Sequence, residues 1–345
     1  MRKILSYVAA AALLAAAAGP AVAQKKVTIN LLQPIHKSVA FYPQIAGEAL
    51  GYFAAEGIEI NLLPSETTIP YVAFLTNKDA DIAMLDAPQT FQAVNAKLPI
   101  SVIYEVNQLA PEGVVVAGDS PINSVKELHG KTVGLVSDRD LATLKLTMDA
   151  VGDNMNDIQT VVVGEAGPTL ANAFKRKTVA AIAGALPDWL ALEANGIAIK
   201  DITPPEMAET PANSFVILST RKAELDDALK RFMRAWAKGA YVAKVDPAAL
   251  EMMARKIVPE EWVDEQFGKG FLKGAIRLNY PLTERFGELR PQMWEKVQGQ
   301  MIKIGEIGQK YDPATFLDPS YIDAANDWDR KKVEADVAAW KKANM

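Results

Sequence analysis

The chain has 345 residues, of which 50% are hydrophobic, and its formal net charge is −5. This length and apolar content are sufficient for a large core and predict about two domains. The acidic balance gives no general attraction to nucleic-acid phosphates or anionic lipids, so nucleic acid is not an expected partner. Cysteine is absent, which excludes disulfide bonds, a thiolate nucleophile and a lipid-modified N-terminal cysteine.

The N-terminus has the pattern of a secretory leader. Arg2 and Lys3 precede an apolar run over 4–18, and residues 21–23 are the small residues Ala-Val-Ala that a signal peptidase recognises. A membrane anchor is the alternative, but the run is shorter than the ~20 apolar residues that span a bilayer. We therefore expect a signal peptide over 1–23 and a periplasmic mature protein that begins at Gln24. Loss of Arg2 and Lys3 would change the formal charge from −5 to −7.

Predicted strands and helices alternate through the first third of the sequence. Asp86, with Gln89 three residues later, forms a capping box that starts one of the helices. This alternation is typical of βαβ units, in which helices cover a parallel sheet. The predicted strands cover 27–32, 58–63, 81–85 and 100–104, and the predicted helices cover 40–56 and begin at 70 and 87.

The stretch 113–136 is interpreted as the crossing from one lobe to another. A buried strand over 114–117 is followed by the breaking residues 118–121, a capping box of Ser124 and Glu127, and a new strand over 132–136. The same pattern of strands and helices then repeats as far as a strand over 215–220, which we interpret as the crossing back.

From Lys222 onward the sequence predicts helices. We predict an α/β protein of two lobes, joined by two crossing strands near Val116 and Val216, with a helical C-terminal part. Lobe 1 would comprise residues 24–113 and 215–345, and lobe 2 residues 114–214.

Three stretches carry motifs of a known family. Residues 46–59 read AGEALGYFAAEGIE, 77–84 read NKDADIAM, and 124–134 read SVKELHGKTVG. They resemble the G-Y-F-x-x-E-G-I/L, G-x-x-D-I/V and L-K-G-K-x-V-G motifs of ABC-importer substrate-binding proteins of the nitrate, sulfonate, taurine and bicarbonate family, which is related to thiamine-pyrimidine synthases. Asn77 and Lys78 stand where that family often has glycine, and His129 replaces its usual lysine.

The resemblance extends over roughly residues 26–220. It implies a type II periplasmic-binding-protein fold, in which solute is held in a cleft between two lobes and released to an ABC permease in the inner membrane. The identity of the solute cannot be transferred with the fold, because the matched motifs are structural.

In open α/β sheets, ligands bind beyond the carboxyl ends of the strands, next to helix starts with free backbone N–H groups. This rule selects polar and aromatic side chains as candidates for ligand binding. The candidates are Gln33, His36, Tyr42, Thr67, Thr68, Asp86, Gln89, Asn107 and Gln108 from lobe 1, Ser137, Asp138, Arg139, Glu165, Asp188 and Trp189 from lobe 2, and Asn213 beside the returning strand.

Several candidates have an alternative role. Asp86 and Ser137 can cap their own helices, which would occupy their oxygens. Trp189 can pack in the core instead of forming a flat wall of the cleft. The guanidinium of Arg139 suits a bound carboxylate or sulfonate, but it can also pair with a neighbouring acid.

Enzyme signatures such as HExxH, a Walker loop or G-x-S-x-G are absent from the sequence. The two histidines, His36 and His129, have no third ligand at metal-binding spacing, so neither a metal nor another cofactor is expected.

We therefore expect a monomeric, non-enzymatic receptor for a small polar organic solute, similar to a sulfonate, taurine or a nitrogen compound. One alternative is an exported enzyme related to thiamine-pyrimidine synthases, for which His36 is the histidine positioned in the cleft. Another, the effector lobe of a transcription regulator, would lack a secretion signal and carry a basic helix-turn-helix segment.

The candidate residues also suggest what the cleft accepts. Acids outnumber bases among them, which disfavours a bare inorganic anion such as nitrate or bicarbonate. The aromatic rings and side-chain amides favour an organic solute with a polar or cationic nitrogen group, with any acidic group of the solute held by Arg139. On this hypothesis Trp189→Ala and Asp188→Asn should each weaken binding.

Overall fold

The structure, a computed structural model, describes residues 26–64, 71–164, 167–208 and 210–345. The expected leader therefore lies outside the described residues. The described chain forms two five-stranded sheets covered by helices, which confirms the predicted two-lobed α/β fold with a helical C-terminal part. Among the described residues we find no helix with the length and apolar content that a membrane span requires.

The sheet of lobe 1 combines four early strands with one strand from much later in the chain. Its strands are β1 (Val27–Leu32), β2 (Ile58–Leu62), β3 (Ile82–Leu85), β4 (Ile100–Glu105) and β10 (Ser214–Leu218). Their order is β2-β1-β3-β10-β4, and β10 runs antiparallel to both of its neighbours. All four residues of β3 are buried, as expected for a strand covered on both faces. The helices of this half are α1 (Tyr42–Ala49), α2 (Tyr52–Ala55), α3 (Tyr71–Thr76) and α4 (Ala87–Asn95).

Lobe 2 repeats this arrangement. Its strands are β5 (Glu112–Ala117), β6 (Thr132–Leu135), β7 (Gln159–Val162), β8 (Ala181–Ala185) and β9 (Ile199–Asp201), in the order β7-β6-β8-β5-β9. A short 3₁₀ helix capped by Ser124 lies between β5 and β6, where the capping box predicted a helix. The helices of this half are α5 (Asp140–Ala150), α6 (Gly167–Lys175), α7 (Leu186–Ala194) and α8 (Pro205–Ala208).

The chain passes between the lobes at residues 106–111 and 202–213, and not at the strands predicted to cross. Val116 pairs with Lys200 inside the sheet of lobe 2, and Val216 pairs with Ala83 inside the sheet of lobe 1. These β-branched runs are buried in sheets because their apolar side chains need cover on both faces, which a strand spanning a cleft would lack. The backbone N–H groups of Val106 and Asn107 both donate to the carbonyl of Asn213, at 3.0 and 2.9 Å, and so tie the two passages together.

One predicted element is divided in the structure. The helix expected over 40–56 is interrupted at Leu50 and Gly51, where Gly51 adopts a φ of 70°. A left-handed residue ends an α-helix and lets the chain start a new one at a different angle.

Six further helices complete the chain. They are α9 (Lys222–Val245), α10 (Pro247–Ile257), α11 (Glu265–Asn279), α12 (Pro291–Lys303), α13 (Ile322–Asn326) and α14 (Arg330–Asn344). The apolar stripe predicted on α9, which includes Phe232 and Trp236, is buried. A Cβ atom at Gly239 would lie 2.1 Å from the carbonyl oxygen of Pro43, so the close crossing of α9 over α1 depends on that glycine.

Two helix contacts join the lobes beyond the passages. Leu146 of α5 is buried in the same apolar cluster as Trp294 and Met301 of α12. At the second contact, a Cβ atom at Gly274 of α11 would lie 2.3 Å from Leu186 of α7. The lobes therefore meet through side chains on both α11 and α12, and a cavity remains between them.

Candidate functional site

A cavity of about 360 Å³ lies between the lobes, at the small end of the usual range for ligand pockets. Lobe 1 contributes the first turns of α4 and part of α12. Lobe 2 contributes the turn that precedes α5 and the first turns of α5 itself. Residues of both passages, among them Ala110 and Thr210, complete the wall together with Glu112 at the start of β5. Any solute held here would contact both lobes at once.

The wall of lobe 1 is shaped by a complete capping box at the start of α4. Asp86 Oδ1 accepts a hydrogen bond from Gln89 N at 2.7 Å, and Gln89 Oε1 accepts one from Asp86 N at 3.2 Å. Proline in the first turn suits this start, because its ring fixes φ and its nitrogen needs no acceptor. Burial raises the pKa of Asp86, while the charge of Arg139 and the hydrogen bond from Gln89 oppose that rise. The cap therefore uses Oδ1 of Asp86, and Oδ2 remains available to a charged group.

The opposing wall of lobe 2 is a turn braced by Asp140. Its Oδ2 accepts hydrogen bonds from Ser137 N at 2.7 Å and from Ser137 Oγ at 2.8 Å. The turn carries Asp138 and Arg139 into the lining of the cavity. Arg139 Nη2 lies 3.8 Å from Asp86 Oδ2, so this ion pair spans the cleft. The Arg139 side chain remains 45% exposed.

Glu112 is the acidic residue of the inner wall. It is the first residue of β5, directly after the passage from lobe 1, and it is only partly exposed. Burial, together with the charge of nearby Asp86, raises the pKa of Glu112 to about 7. In the described part of the chain no cation lies within 4 Å of its carboxylate. A carboxyl group in this state can change its protonation when a charged solute binds.

Gln300 provides a polar group from α12. Its side chain lines the cavity and is 8% exposed, and its Oε1 is buried without a hydrogen-bond partner among the described residues. An unpaired buried carbonyl is costly, and native proteins seldom leave one unused. Gln300 is therefore a candidate acceptor for a solute N–H or O–H group.

Comparison with known proteins assigns the chain to a family. Residues 38–250 match the family profile described as NMT1/THI5 like. The chain belongs to that family. The resemblance to binding proteins of ABC importers and their thiamine-synthase relatives is thereby confirmed, and it accords with the solved structures of similar fold.

Proteins similar to this NMT1/THI5-like chain in sequence or in fold are named as binding proteins and as an enzyme. It is 23% identical to the riboflavin-binding protein RibY of Chloroflexus aurantiacus over 303 residues, which cover 82% of the chain and 83% of RibY. It shares its fold with the periplasmic aliphatic sulphonate binding protein SsuA of Escherichia coli, at a TM-score of 0.66 and 12% identity over 85% of the chain and 92% of SsuA. It is also similar in fold to the desulfurization enzyme DSZB, at a TM-score of 0.61 and 15% identity over 87% of the chain and 99% of DSZB.

Some of the residues predicted to bind ligand come together in this NMT1/THI5-like structure. Asp86, Gln89, Asp138 and Arg139 line the cavity. Ser137 supports the same turn through its bonds to Asp140. These residues stand at strand ends and helix starts, where the positional rule placed them.

Other predicted residues serve the framework around the passages. Gln108 is 1% exposed, and its amide bonds to Glu288 O at 2.9 Å and to Leu282 N at 2.7 Å. Asn107 accepts a hydrogen bond from the Asn213 side chain at 3.3 Å. These amides hold the passages to one another and to the C-terminal region, and none of them lines the cavity.

The predicted aromatic residues lie in the cores of the lobes. Tyr42 is fully buried, and its hydroxyl donates to Ala240 O at 3.0 Å. Trp189 is 8% exposed within the apolar cluster of lobe 2. Asp188 accepts a hydrogen bond from Ala185 N at 2.8 Å and so caps its own helix. The structure therefore places Trp189 in its alternative role of core packing and Asp188 in helix capping, and both lie outside the cavity lining.

Two residues after β1 also lie outside the lining. Gln33 is fully buried and donates from Nε2 to His36 O at 3.2 Å. His36 is exposed in the loop. Thr67, Thr68 and Glu165 lie outside the described residues. Within the described ranges no three His, Cys, Asp or Glu residues are grouped as a metal site would require.

Sequence reasoning missed Glu112 and Gln300. Glu112 lies two residues before the buried run at 114–117, and an acid at the start of a buried strand was an available signal. Gln300 gave no such signal, because it lies on the predicted C-terminal helix at a position that becomes part of the cavity only when α12 packs against α5.

Proposed function

We propose that this protein is the solute-binding receptor of an ABC importer. In this proposal it is exported to the periplasm as a monomer, holds one small polar organic solute between its lobes and delivers it to the permease. The observation that carries the proposal is the Arg139–Asp86 ion pair across a cavity to which both lobes contribute. A ligand bound there would contact both walls and favour the closed arrangement of the lobes.

The fold family supports a receptor, and the names of relatives suggest which solutes to test. RibY is named for riboflavin and SsuA for aliphatic sulphonates. The test is a thermal-shift screen of the mature protein against riboflavin, sulfonates, carboxylates, amines and nitrogen heterocycles, since a ligand that binds only the native state raises Tm. Mass spectrometry of the exported protein should find Gln24 as its first residue.

A matched pair of variants links any hit to the cavity. Arg139→Gln should change the shift, with a reduction expected for an anionic solute, whereas Arg285→Gln should leave it unchanged, because Arg285 is similarly exposed but pairs with Asp323 away from the cavity. Equal responses of the two variants would count against the interlobe cavity as the site. Delivery is tested by the ATPase activity of the reconstituted transporter, which the loaded receptor should stimulate.

An enzyme related to thiamine-pyrimidine synthases is the second candidate, and the structural similarity to DSZB favours it. Its expected catalytic group, His36, is exposed in a loop and does not line the cavity. Incubation of the protein with each compound that raises Tm, followed by mass spectrometry, separates the two candidates. A receptor returns the compound unchanged, and an enzyme converts it.

A further inference from the structure

We infer that the cavity selects its solute through a positively charged, N–H-rich nitrogen group, such as an amidinium, held by the Glu112 carboxylate and the Gln300 side-chain carbonyl. This inference rests on the proposed receptor function and names the chemical class of the solute. Three features of the described residues support it: the charge of the lining, the partners of each acid, and the unpaired acceptor on α12.

The lining of the cavity is strongly acidic. Among the described residues, five acidic residues line it together with one guanidinium group, that of Arg139. The acidic residues are Asp86, Glu112, Asp138, Asp140 and Glu306. An anionic solute would therefore enter a negative field, and a cation would be attracted to it.

Most of these carboxylates already have partners. Asp86 caps α4 and faces Arg139, Asp140 braces the turn at Ser137, and Glu306 lies 3.4 Å from Lys145 Nζ. Arg139 is likewise engaged by Asp86, so an anion would have to compete with that carboxylate for it. Glu112 is partly buried, and within the described part of the chain no ion pair holds its carboxylate, although the charge of Arg139 does lower its pKa. Asp138, the remaining acid, is exposed.

The position of Glu112 favours binding of a cationic solute group over hydration of the carboxylate by water. Its carboxyl group sits in the inner wall beside Asp86, where burial disfavours a bare charge. An approaching cation with N–H donors removes this penalty, because it supplies both opposite charge and hydrogen bonds. The same carboxyl would repel a sulfonate or carboxylate.

Gln300 supplies the second contact. Its Oε1 is buried and makes no hydrogen bond within the described part of the chain. A carbonyl oxygen only accepts hydrogen bonds, so a solute N–H group would satisfy it once the side chain turns toward the cavity. Glu112 begins β5 of lobe 2 and Gln300 lies on α12 of lobe 1, so a nitrogen group with several N–H bonds would contact both sides of the cleft.

The test uses probes of nearly equal shape and different charge. Benzamidine is a cation with N–H donors, benzamide is neutral, benzoate is an anion, and phenyltrimethylammonium is a cation without donors. Calorimetry should find that benzamidine binds the mature protein at least ~10-fold more tightly than benzamide, a difference expected for a charge-assisted contact. Benzoate should bind most weakly, and phenyltrimethylammonium should bind less tightly than benzamidine.

Two variants assign the contacts. Glu112→Gln should weaken benzamidine binding by ~10-fold or more. Glu306→Gln removes an equal charge from the same lining together with one partly exposed interlobe pair to Lys145, and it should weaken binding by less than ~5-fold. Gln300→Glu keeps an acceptor and adds a negative charge, so it should tighten benzamidine binding. Circular dichroism and a cooperative melt verify that each variant is folded.

Several results would overturn the inference. These are benzoate or benzamide binding as tightly as benzamidine, no benzamidine binding at millimolar concentration, equal losses in Glu112→Gln and Glu306→Gln, or weaker benzamidine binding in Gln300→Glu. If an anionic or neutral compound binds instead and Arg139→Gln abolishes its binding, the inference fails and the receptor proposal stands. If no compound in the probe series or the solute screen binds, the receptor proposal fails as well.

Discussion

Arg139 of lobe 2 and Asp86 of lobe 1 face each other across the cleft, with Nη2 3.8 Å from Oδ2. Two further ion pairs join α5 to lobe 1, Lys145 with Glu306 and Asp149 with Lys303, each at 3.4 Å. The relative position of the lobes is thus set along α5 by charge as well as by the packing of Leu146. Partly exposed pairs of this kind contribute little to stability, about 0.2–1 kcal/mol each, but they do favour the closed arrangement.

The first prediction concerns that arrangement. Arg139→Gln should increase the radius of gyration of the ligand-free protein measured by X-ray scattering, because the closed lobes lose a contact that the open lobes do not have. Its Tm should change by less than about 3 °C, as expected for an exposed pair. Arg285→Gln is the control and should leave the radius of gyration unchanged. An unaltered scattering profile for Arg139→Gln would show that the pair does not influence closure.

The second prediction concerns pH. The pKa of Glu112 is raised from 4.5 to about 7, so the native state binds this proton more tightly than the unfolded chain does. Stability therefore falls as pH rises from about 4.5 to about 7, with Asp86 and Asp140 adding to the effect and Arg139 opposing it. Glu112→Gln removes this loss and should raise the free energy of unfolding at pH 8 by on the order of 1–3 kcal/mol, with no gain at pH 4.

Urea unfolding of wild type and variant at both pH values measures this difference. Glu306→Gln provides the control, since its carboxylate is paired with Lys145 and its removal should give no gain at pH 8. A constant difference between wild type and Glu112→Gln across the pH range would contradict the raised pKa.

The third prediction revises the expected effect of Trp189→Ala. Because Trp189 packs in the core of lobe 2, the substitution should lower the free energy of unfolding by about 3–5 kcal/mol through lost burial and a residual cavity. The partly exposed Trp340 of α14 is the control, and Trp340→Ala should cost less in the same urea titration. If Trp189→Ala keeps normal stability but loses solute binding, Trp189 is a ligand-binding residue and the prediction is wrong.

The fourth prediction concerns the framework behind the passage at 106–111. Glu105 is almost fully buried and accepts hydrogen bonds from Arg290 Nε at 2.8 Å and from Trp294 Nε1 at 2.9 Å. Arg290→Met would leave this carboxylate buried without its cation, which typically costs about 3–5 kcal/mol. Arg285→Met, at an exposed pair with Asp323, should cost no more than about 1 kcal/mol. Equal unfolding midpoints for the two variants would show that Glu105 is stabilised by other means.

Local signals predicted much of this protein well. The Asp86–Gln89 capping box, the buried strand after it in the chain and the apolar stripe of α9 all depend on residues within a few positions of one another, and the structure contains each of them. The strand at 114–117 was also recognised, but its role was misread as a crossing. A run of valines indicates burial between layers, and it does not indicate which sheet will bury it.

The sequence by itself determined the alternation of strands and helices, and with it the two-lobed α/β fold, because hydrophobic periodicity and helix caps act over short distances. It also placed Asp86 and Arg139 at helix starts near strand ends. Only the tertiary structure decided that Trp189 and Tyr42 belong to the cores, and that Glu112 and Gln300, 188 positions apart by their numbers, meet at one cavity. The physical reason is that burial and charge environment depend on how α5 and α12 pack across the cleft, and no local pattern encodes that contact.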